Sequence, residues 1–337
     1  IENRMGEFLP LFLLLLIISP TTASDFLAIR QLNSGGNASI SLIDTKDGST
    51  VILSDLTFTF RHPFVDATAT NDSSYFVVSF PIDDSKHSSH LWKLDSNLSV
   101  ENEWIQPPNT MPFFELQYSS LQSALFGITI NGTYGRILSR LDISDDIITA
   151  DFIVSCPFMW YVNASTFDHD NDIYYGLLNN LMDESSSSSS SFQKLMVVNV
   201  ALGTSIIYDY DPTLSGGLLY YLSFSKDHGL FAMASEFETD SAQLGSLTYG
   251  SSTTPRDLDK GKISFSATFD PLLTFDNAIG KYSPSFVTPN GELCSVLGNN
   301  ENSPQLQCYI INNGQLTQPL DVLPLRQGNA AAVAAWA

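Results

Sequence analysis

The 337-residue chain reads as an all-β protein assembled from repeats, and three observations carry that reading. Its composition is rich in Ser, Thr, Asn, Tyr and Phe. With 43% hydrophobic and only 15% charged residues it is too apolar for disorder and favours strands and turns over helices. Short apolar runs beginning at Phe26 (FLAIRQL), Tyr75 (YFVVSF), Ala124 (ALFGITI) and Ile173 (IYYGLLN) are spaced by 49, 49 and 49 residues, and two more, from Leu230 (LFAMASE) and Glu292 (ELCSVL), follow after 57 and 62. A second landmark keeps step with the first: Asp44, Asp95, Asp142, Asn199 and Asn312 fall 18 to 20 residues after their runs, or 26 where the seven-serine tract 185–191 intervenes.

Each repeat divides into four short strands. One precedes a polar turn (FFELQY), the aligned run is the second, a third ends in the Asp or Asn (RILSRLD), and a fourth follows (IITADFIV). Four strands in ~40–50 residues, repeated, mark a β-propeller blade. The expected fold is therefore a six-bladed β-propeller of four-stranded blades, a single domain over residues 25–337 with the serine tract as a loop. The order of apolar strand, Asp-rich turn, aromatic strand and strand ending in Asp resembles six-bladed propellers of the broad YWTD and NHL-like type. The resemblance is one of pattern: IYYGLL and ALFGIT are not the YWTD tetrapeptide, so no functional residue is carried over from those families.

Residues 1–24 read as a leader and secretory signal peptide. An apolar run over residues 11–18 follows a start at Met5, and small residues lead to a cut after Ala23 or Ser24. The alternative, a membrane anchor, would need ~20 apolar residues. The first aligned run starts close to that cut, so the first blade lacks an innermost strand of its own. One period on from Phe286 lands at position 335, inside AAAVAAWA (330–337), whose small side chains would fit a crowded axis and close the ring. A frayed alanine tail is the alternative.

Five N-x-Ser/Thr sequons, at Asn37, Asn71, Asn97, Asn131 and Asn163, agree with export and glycosylation in a eukaryotic host. Asn163 enters an innermost strand and is expected to escape modification. Cys294 and Cys308 flank a strand, turn and strand; a hairpin centred near Glu301 would oppose them at a separation that a disulfide accepts. Cys156 is then left as a buried thiol. Thirty-six acidic against fifteen basic residues, a net charge of −21, exclude nucleic-acid binding through bulk electrostatics and disfavour anionic bilayers.

Asp168, Asp170 and Asp172 in DHDND occupy the turn between first and second strands, where the other copies have TNDSS, SSLQS, SKDHG and VTPNG. All are turn-forming sequences. An EF-hand loop would need Gly at its sixth position and Glu at its twelfth, where this chain has Ile173 and Asn179. A tight turn accounts for every copy; a weak calcium site completed by backbone carbonyls is the alternative, and no other cofactor is indicated. His87 and His90, near Asp83 and Asp84, read as a solvated loop rather than a metal site.

The segments joining one blade to the next are aromatic and proline-rich: FTFRHPF (58–64), WIQPPNTMPFF (104–114), CPFMWY (156–161), YDYDPTL (208–214) and FDPLLTF (269–275). Trp104, Phe113, Phe114, Trp160 and Tyr161 are the expected lining of a pocket at the axial mouth, with packing between blades as the bland alternative. The G-x-S-x-G, H-E-x-x-H and C-x-x-C signatures are absent. The sequence thus points to a secreted binding module for a peptide, protein or glycan. Its rival is a secreted hydrolase or lyase with an axial site assembled from several blades.

Overall fold

The computed structural model describes residues 15–17, 25–31, 37–44, 50–59, 63–70, 74–81, 90–95, 99–105, 113–131, 135–143, 148–180, 193–211, 217–235, 241–252, 264–275, 285–287, 291–297, 305–312, 315–319 and 323–324. Every regular element among them is a strand. The first group is β1 (Leu15–Ile17), β2 (Asp25–Gln31), β3 (Asn37–Asp44) and β4 (Thr50–Thr59). The second is β5 (Pro63–Ala69), β6 (Tyr75–Pro81), β7 (His90–Leu94) and β8 (Val100–Ile105), and the third β9 (Phe113–Ser119), β10 (Ala124–Asn131), β11 (Gly135–Ile143) and β12 (Ile148–Ser155). The fourth comprises β13 (Trp160–Asp168), β14 (Ile173–Asn180), β15 (Gln193–Asn199) and β16 (Thr204–Tyr210), and the fifth β17 (Leu218–Ser225), β18 (Gly229–Ser235), β19 (Ala242–Ser252) and β20 (Ser264–Phe275). The last has β21 (Ser285–Val287), β22 (Glu292–Leu297), β23 (Gln305–Asn312), β24 (Gln315–Pro319) and the short β25 (Leu323–Pro324).

Within each group consecutive strands pair antiparallel, as short connections allow, except that the short β25 pairs with β23 rather than β24. The first strands of successive groups touch in chain order: β1 with β5, β5 with β9, β9 with β13, β13 with β17 and β17 with β21. First strands therefore line the inside of the array, and fourth strands such as β8 and β12 turn exposed faces outward. One pairing departs from this plan. β16 and β20 run parallel, Asp209 beside Ser266 and Tyr210 beside Ala267, and fuse the fourth and fifth groups into one eight-stranded sheet.

The uninterrupted apolar runs that betray the repeat are second strands, and their two faces serve two different cores. In β14, Tyr174 and Leu178 pack toward the third group with Phe126, Ile128 and Leu138, while Tyr175 and Leu177 pack toward the fifth with Leu219, Leu230 and Phe269. In β18 the alternation repeats, with Leu230, Ala232 and Ala234 on one side and Phe231 and Met233 on the other. A strand covered on both faces has no polar side to alternate with. The Asp/Asn landmark also acquires a cause: Asp95 Oδ1 accepts from the Ser99 N–H at 2.7 Å and Asn199 Oδ1 from the Leu202 N–H at 2.9 Å, so the residue caps the hairpin to the fourth strand.

The disulfide falls where the hairpin register requires it. Cys294 pairs directly with Cys308, Leu297 with Gln305, and the two cysteines are bonded with Cα atoms 3.9 Å apart; Cys156 is free and buried. The expected vacancy beside the first aligned run is corrected. β1, inside the predicted leader, occupies it, with Leu15 opposite Ala28 and Ile17 opposite Phe26. Residues 330–337, the expected closing strand, lie outside the described residues, as does the serine tract. The inter-group segments are also shorter than the sequence suggested. Trp104 belongs to β8, Phe113 and Phe114 to β9, Trp160 and Tyr161 to β13, and FDPLLTF lies wholly within β20, where Pro271 sits at a register shift that tolerates a residue without an N–H.

Candidate functional site

Three successive inner strands are irregular near the same level. β9 carries an extra residue at Glu115–Leu116, opposite Gly127; β13 carries one at Asn163, and β17 one at Tyr220. Such bulges bend a strand and re-aim its side chains, and they recur near functional sites. Glu115 also adopts a left-handed backbone, φ 54°, uncommon for a residue with a side chain. The residue keeps some solvent contact, yet its carboxyl end lies deep. Burial pushes its pKa up to about 7, and a hydrogen bond with Ser165 of β13 pulls partly back. Gln117 Nε2 donates to the same Ser165 Oγ at 3.0 Å, so two polar side chains of β9 converge on one hydroxyl across the seam between the third and fourth groups.

Burial that raises a carboxyl pKa penalises the charged form, so the sign of the stability effect is fixed. Below pH 4.5 Glu115 is protonated folded or unfolded and costs nothing; between 4.5 and about 7 the folded state holds the extra proton and stability falls as pH rises. Glu115→Gln should flatten that decline and raise the denaturation midpoint at pH 8 relative to the parent. An unchanged pH profile would place the carboxyl in water.

At the chain-entry end of the same seam lies a tight turn. Trp160 N–H donates to the Pro157 carbonyl at 3.1 Å, Met159 takes a left-handed φ of 68°, and Phe158 at the apex is 82% exposed. The next two residues are Trp160 and Tyr161, both half-buried, each with a cation on its ring. Lys194 Nζ stands 5.0 Å from the Trp160 centroid and the Arg136 guanidinium 5.1 Å from that of Tyr161. Phe114 and Trp160 pack on one core between the third and fourth groups. Cys156 lies in that core too, its thiol pushed up to about 12 by burial, which makes it inert.

Of the five expected pocket residues, the structure thus gathers Phe114, Trp160 and Tyr161 at one seam. It places the other two elsewhere. Phe113 is 1% exposed and packs with Phe76, Val78 and Leu91, and Trp104 leans on Phe76 with centroids 6.3 Å apart, both between the second and third groups. Aromatics flanking a proline-rich link are as useful to a blade seam as to a loop. Phe158, Arg136 and Glu115 were missed. Phe158 stood in a quoted segment, but the other two become neighbours of the aromatics only through the stacking of groups. Also missed, at the opposite end of the strands, is a cluster in which Tyr175 Oη meets Tyr249 Oη at 3.0 Å, Phe224 stacks on Tyr175, and Tyr208 meets Phe265 edge-on.

The DHDND carboxylates are engaged within the protein. Asp168 Oδ1 accepts from the Asp170 and Asn171 N–H groups, forming the turn. Asp170 pairs with Lys226 of the fifth group at 2.7 Å, and Asp172 accepts from Ser119 and Gln122 of the third. The loop therefore ties three groups together. Among the described residues no group of three His, Cys, Asp or Glu side chains is placed to hold a metal ion. His90 is not in a loop: it lies in β7, Nδ1 2.9 Å from Glu103 Oε1, while His87 lies outside the described residues. Asn37 opens β3 and Asn131 closes β10, at strand ends rather than in turns; Asn163 lies within β13, and Asn71 and Asn97 lie outside the described residues. No helix among the described residues is long and apolar enough to cross a membrane.

No protein-family model and no curated protein matches the chain. Solved structures do. The SapL1 lectin, seen in complex with alpha methyl fucoside, is 11% identical over 94% of this chain and 97% of its own, with a TM-score of 0.53. A protein from Lactobacillus plantarum is 11% identical over 95% and 86%, with 0.51. TolB from Acinetobacter baumannii is 13% identical over 70% and 51%, with 0.48, so the chain spans about half the length of that protein. At these identities the likeness speaks to architecture alone: the chain has an all-β, β-propeller fold.

Proposed function

We propose that the protein is an exported, glycosylated binding module of six blades, one per antiparallel group, which takes a peptide, protein or glycan at the seam between the third and fourth blades. The observation that carries this is the turn at 157–160: an exposed Phe158 followed by half-buried Trp160 and Tyr161, large aromatic area that the fold leaves within reach of solvent. The leader, the sequons Asn37, Asn71, Asn97 and Asn131, and a disulfide of a kind found in oxidising compartments support export. Cleavage after Ala23 or Ser24 would remove β1 and leave the inner edge of β2 unpaired, and residues 330–337 are the proposed replacement.

Trp160→Ala should weaken binding by ~2 kcal/mol or more if the indole is an anchor. Phe158→Ala, from a position that supports no core, should weaken it with the melting temperature unchanged. Screening the secreted protein and both variants on glycan and peptide arrays tests this. A large loss of stability in Trp160→Ala, with Phe158→Ala indistinguishable from the parent in binding, would return these residues to structure.

One observation favours the enzymatic alternative, a hydrolase or lyase: Glu115, a carboxyl titrating near neutrality on an inner strand beside Ser165, has the poise of a general acid or base. That reading requires Glu115→Gln to abolish turnover of a ligand that it still binds.

A further inference from the structure

We infer that the ligand of this seam is a glycan carrying an isolated carboxylate, a hexuronic acid residue, and that Arg136 is the residue that holds it; the inference rests on the seam being a binding site. Arg136 is the anomaly of the region. Its Nε is buried and has no hydrogen-bond partner, and among the described residues no carboxylate lies within ion-pair distance of its guanidinium. This occurs in a chain with 36 acidic residues, where Lys93, Lys194 and Lys226 each hold one. Burial lowers the Arg136 pKa, and the neighbours that offset this are only the Cys156 thiol and the Tyr161 hydroxyl, both neutral near pH 7. A guanidinium has five N–H donors in a planar fork, and leaving the buried Nε–H unmet is costly unless something else supplies an acceptor.

The surroundings define what that would be. The guanidinium lies over the Tyr161 ring, and its planar fork suits bidentate recognition of a carboxylate. Gly135, with a φ of 77°, precedes Arg136 at the start of β11, leaving the approach on that side free of a side chain. Phe158, Trp160 and Tyr161 offer flat apolar surface within a four-residue stretch, which suits a pyranose ring lying beside its own acid group. A polyanion would meet the repulsion of a chain with net charge −21, whereas one carboxylate on an otherwise neutral glycan meets Arg136 at short range.

The test is an array of oligosaccharides printed as pairs, each a uronic acid and its matching neutral hexose, probed with the secreted protein and with Arg136→Gln, Arg136→Lys and Phe158→Ala. Acidic and amidated peptides are printed alongside. The uronate member of a pair should bind roughly tenfold or more tightly than its neutral twin. That preference should vanish in Arg136→Gln, persist in part in Arg136→Lys, and survive in Phe158→Ala while both members weaken together. Binding with no uronate preference, or a preference that Arg136→Gln retains, overturns the carboxylate assignment and leaves the seam as a binding site. Capture of acidic peptides alone overturns the glycan. Binding insensitive to both Phe158→Ala and Arg136→Gln removes the seam and the inference together. Unfolding midpoints of the variants close to the parent's show that the losses are local.

Discussion

Gly245→Ala should cost about 3 kcal/mol or more of stability, the upper end for overpacking a filled interior. A Cβ at Gly245 would stand 2.2 Å from the Asp270 carbonyl oxygen and 2.7 Å from two atoms of the Phe269 ring. The ring could turn, but the carbonyl belongs to β20, and moving it means opening the β19–β20 ladder. The contact is tight because Gly245 faces Pro271 where the register shifts and β20 carries the extra residue Leu272. Phe269 lies in the core shared by the fourth and fifth groups of strands, and Leu244, beside Gly245, in the core facing the last group. One methyl group therefore disturbs both. Chemical denaturation of the variant checks this; a loss below about 1 kcal/mol would mean that the two strands separate more freely than their pairing implies.

Removing the disulfide with Cys294→Ala and Cys308→Ala should cost a comparable amount, about 3 kcal/mol in the chain-entropy view for a loop of this length. Both sulfurs are enclosed and the cysteines face each other in an unbroken β22–β23 ladder from Glu292 to Leu297, so the native register should survive and the loss should appear in the unfolding midpoint. Reduction of the parent should reproduce it. Peptide mapping without reduction should recover Cys294 linked to Cys308, and Cys156 should resist alkylation until the protein unfolds. Recovery of Cys156 in a mixed disulfide would contradict the assignment.

Much of this architecture was legible because the constraint behind it is local and periodic. Tyr75, Ala124 and Ile173 recur every 49 residues because each blade needs the same strands and turns, and Asp95 and Asn199 keep phase because each caps the same hairpin. Cys294 and Cys308 were readable from hairpin symmetry. The strand status of Trp104 and of 269–275 was not, since proline and aromatics mark a link between blades and a bulged outer strand alike. Nor was the site. Arg136 meets Tyr161, and Asp172 meets Ser119 and Gln122, across a seam whose geometry depends on the rotation from one blade to the next. No spacing along the chain encodes that rotation, and the sequence marks DHDND as a turn without showing that Asp170 and Asp172 reach partners on two other groups.

The parallel pairing of β16 with β20 changes how the fold comes apart. Repeats that meet only through side chains melt as a nearest-neighbour series, each unit opening at its own cost. Here Asp209–Ser266 and Tyr210–Ala267 join two blades by backbone, and Tyr208, Tyr210, Ala267 and Phe269 share one core behind the joint. The fourth and fifth blades should therefore open as one cooperative unit, their amides exchanging together, with the candidate seam on its flank. The turn at 157–160 therefore hangs from the part of the fold least able to open alone, and a ligand of the proposed site would meet it already in place.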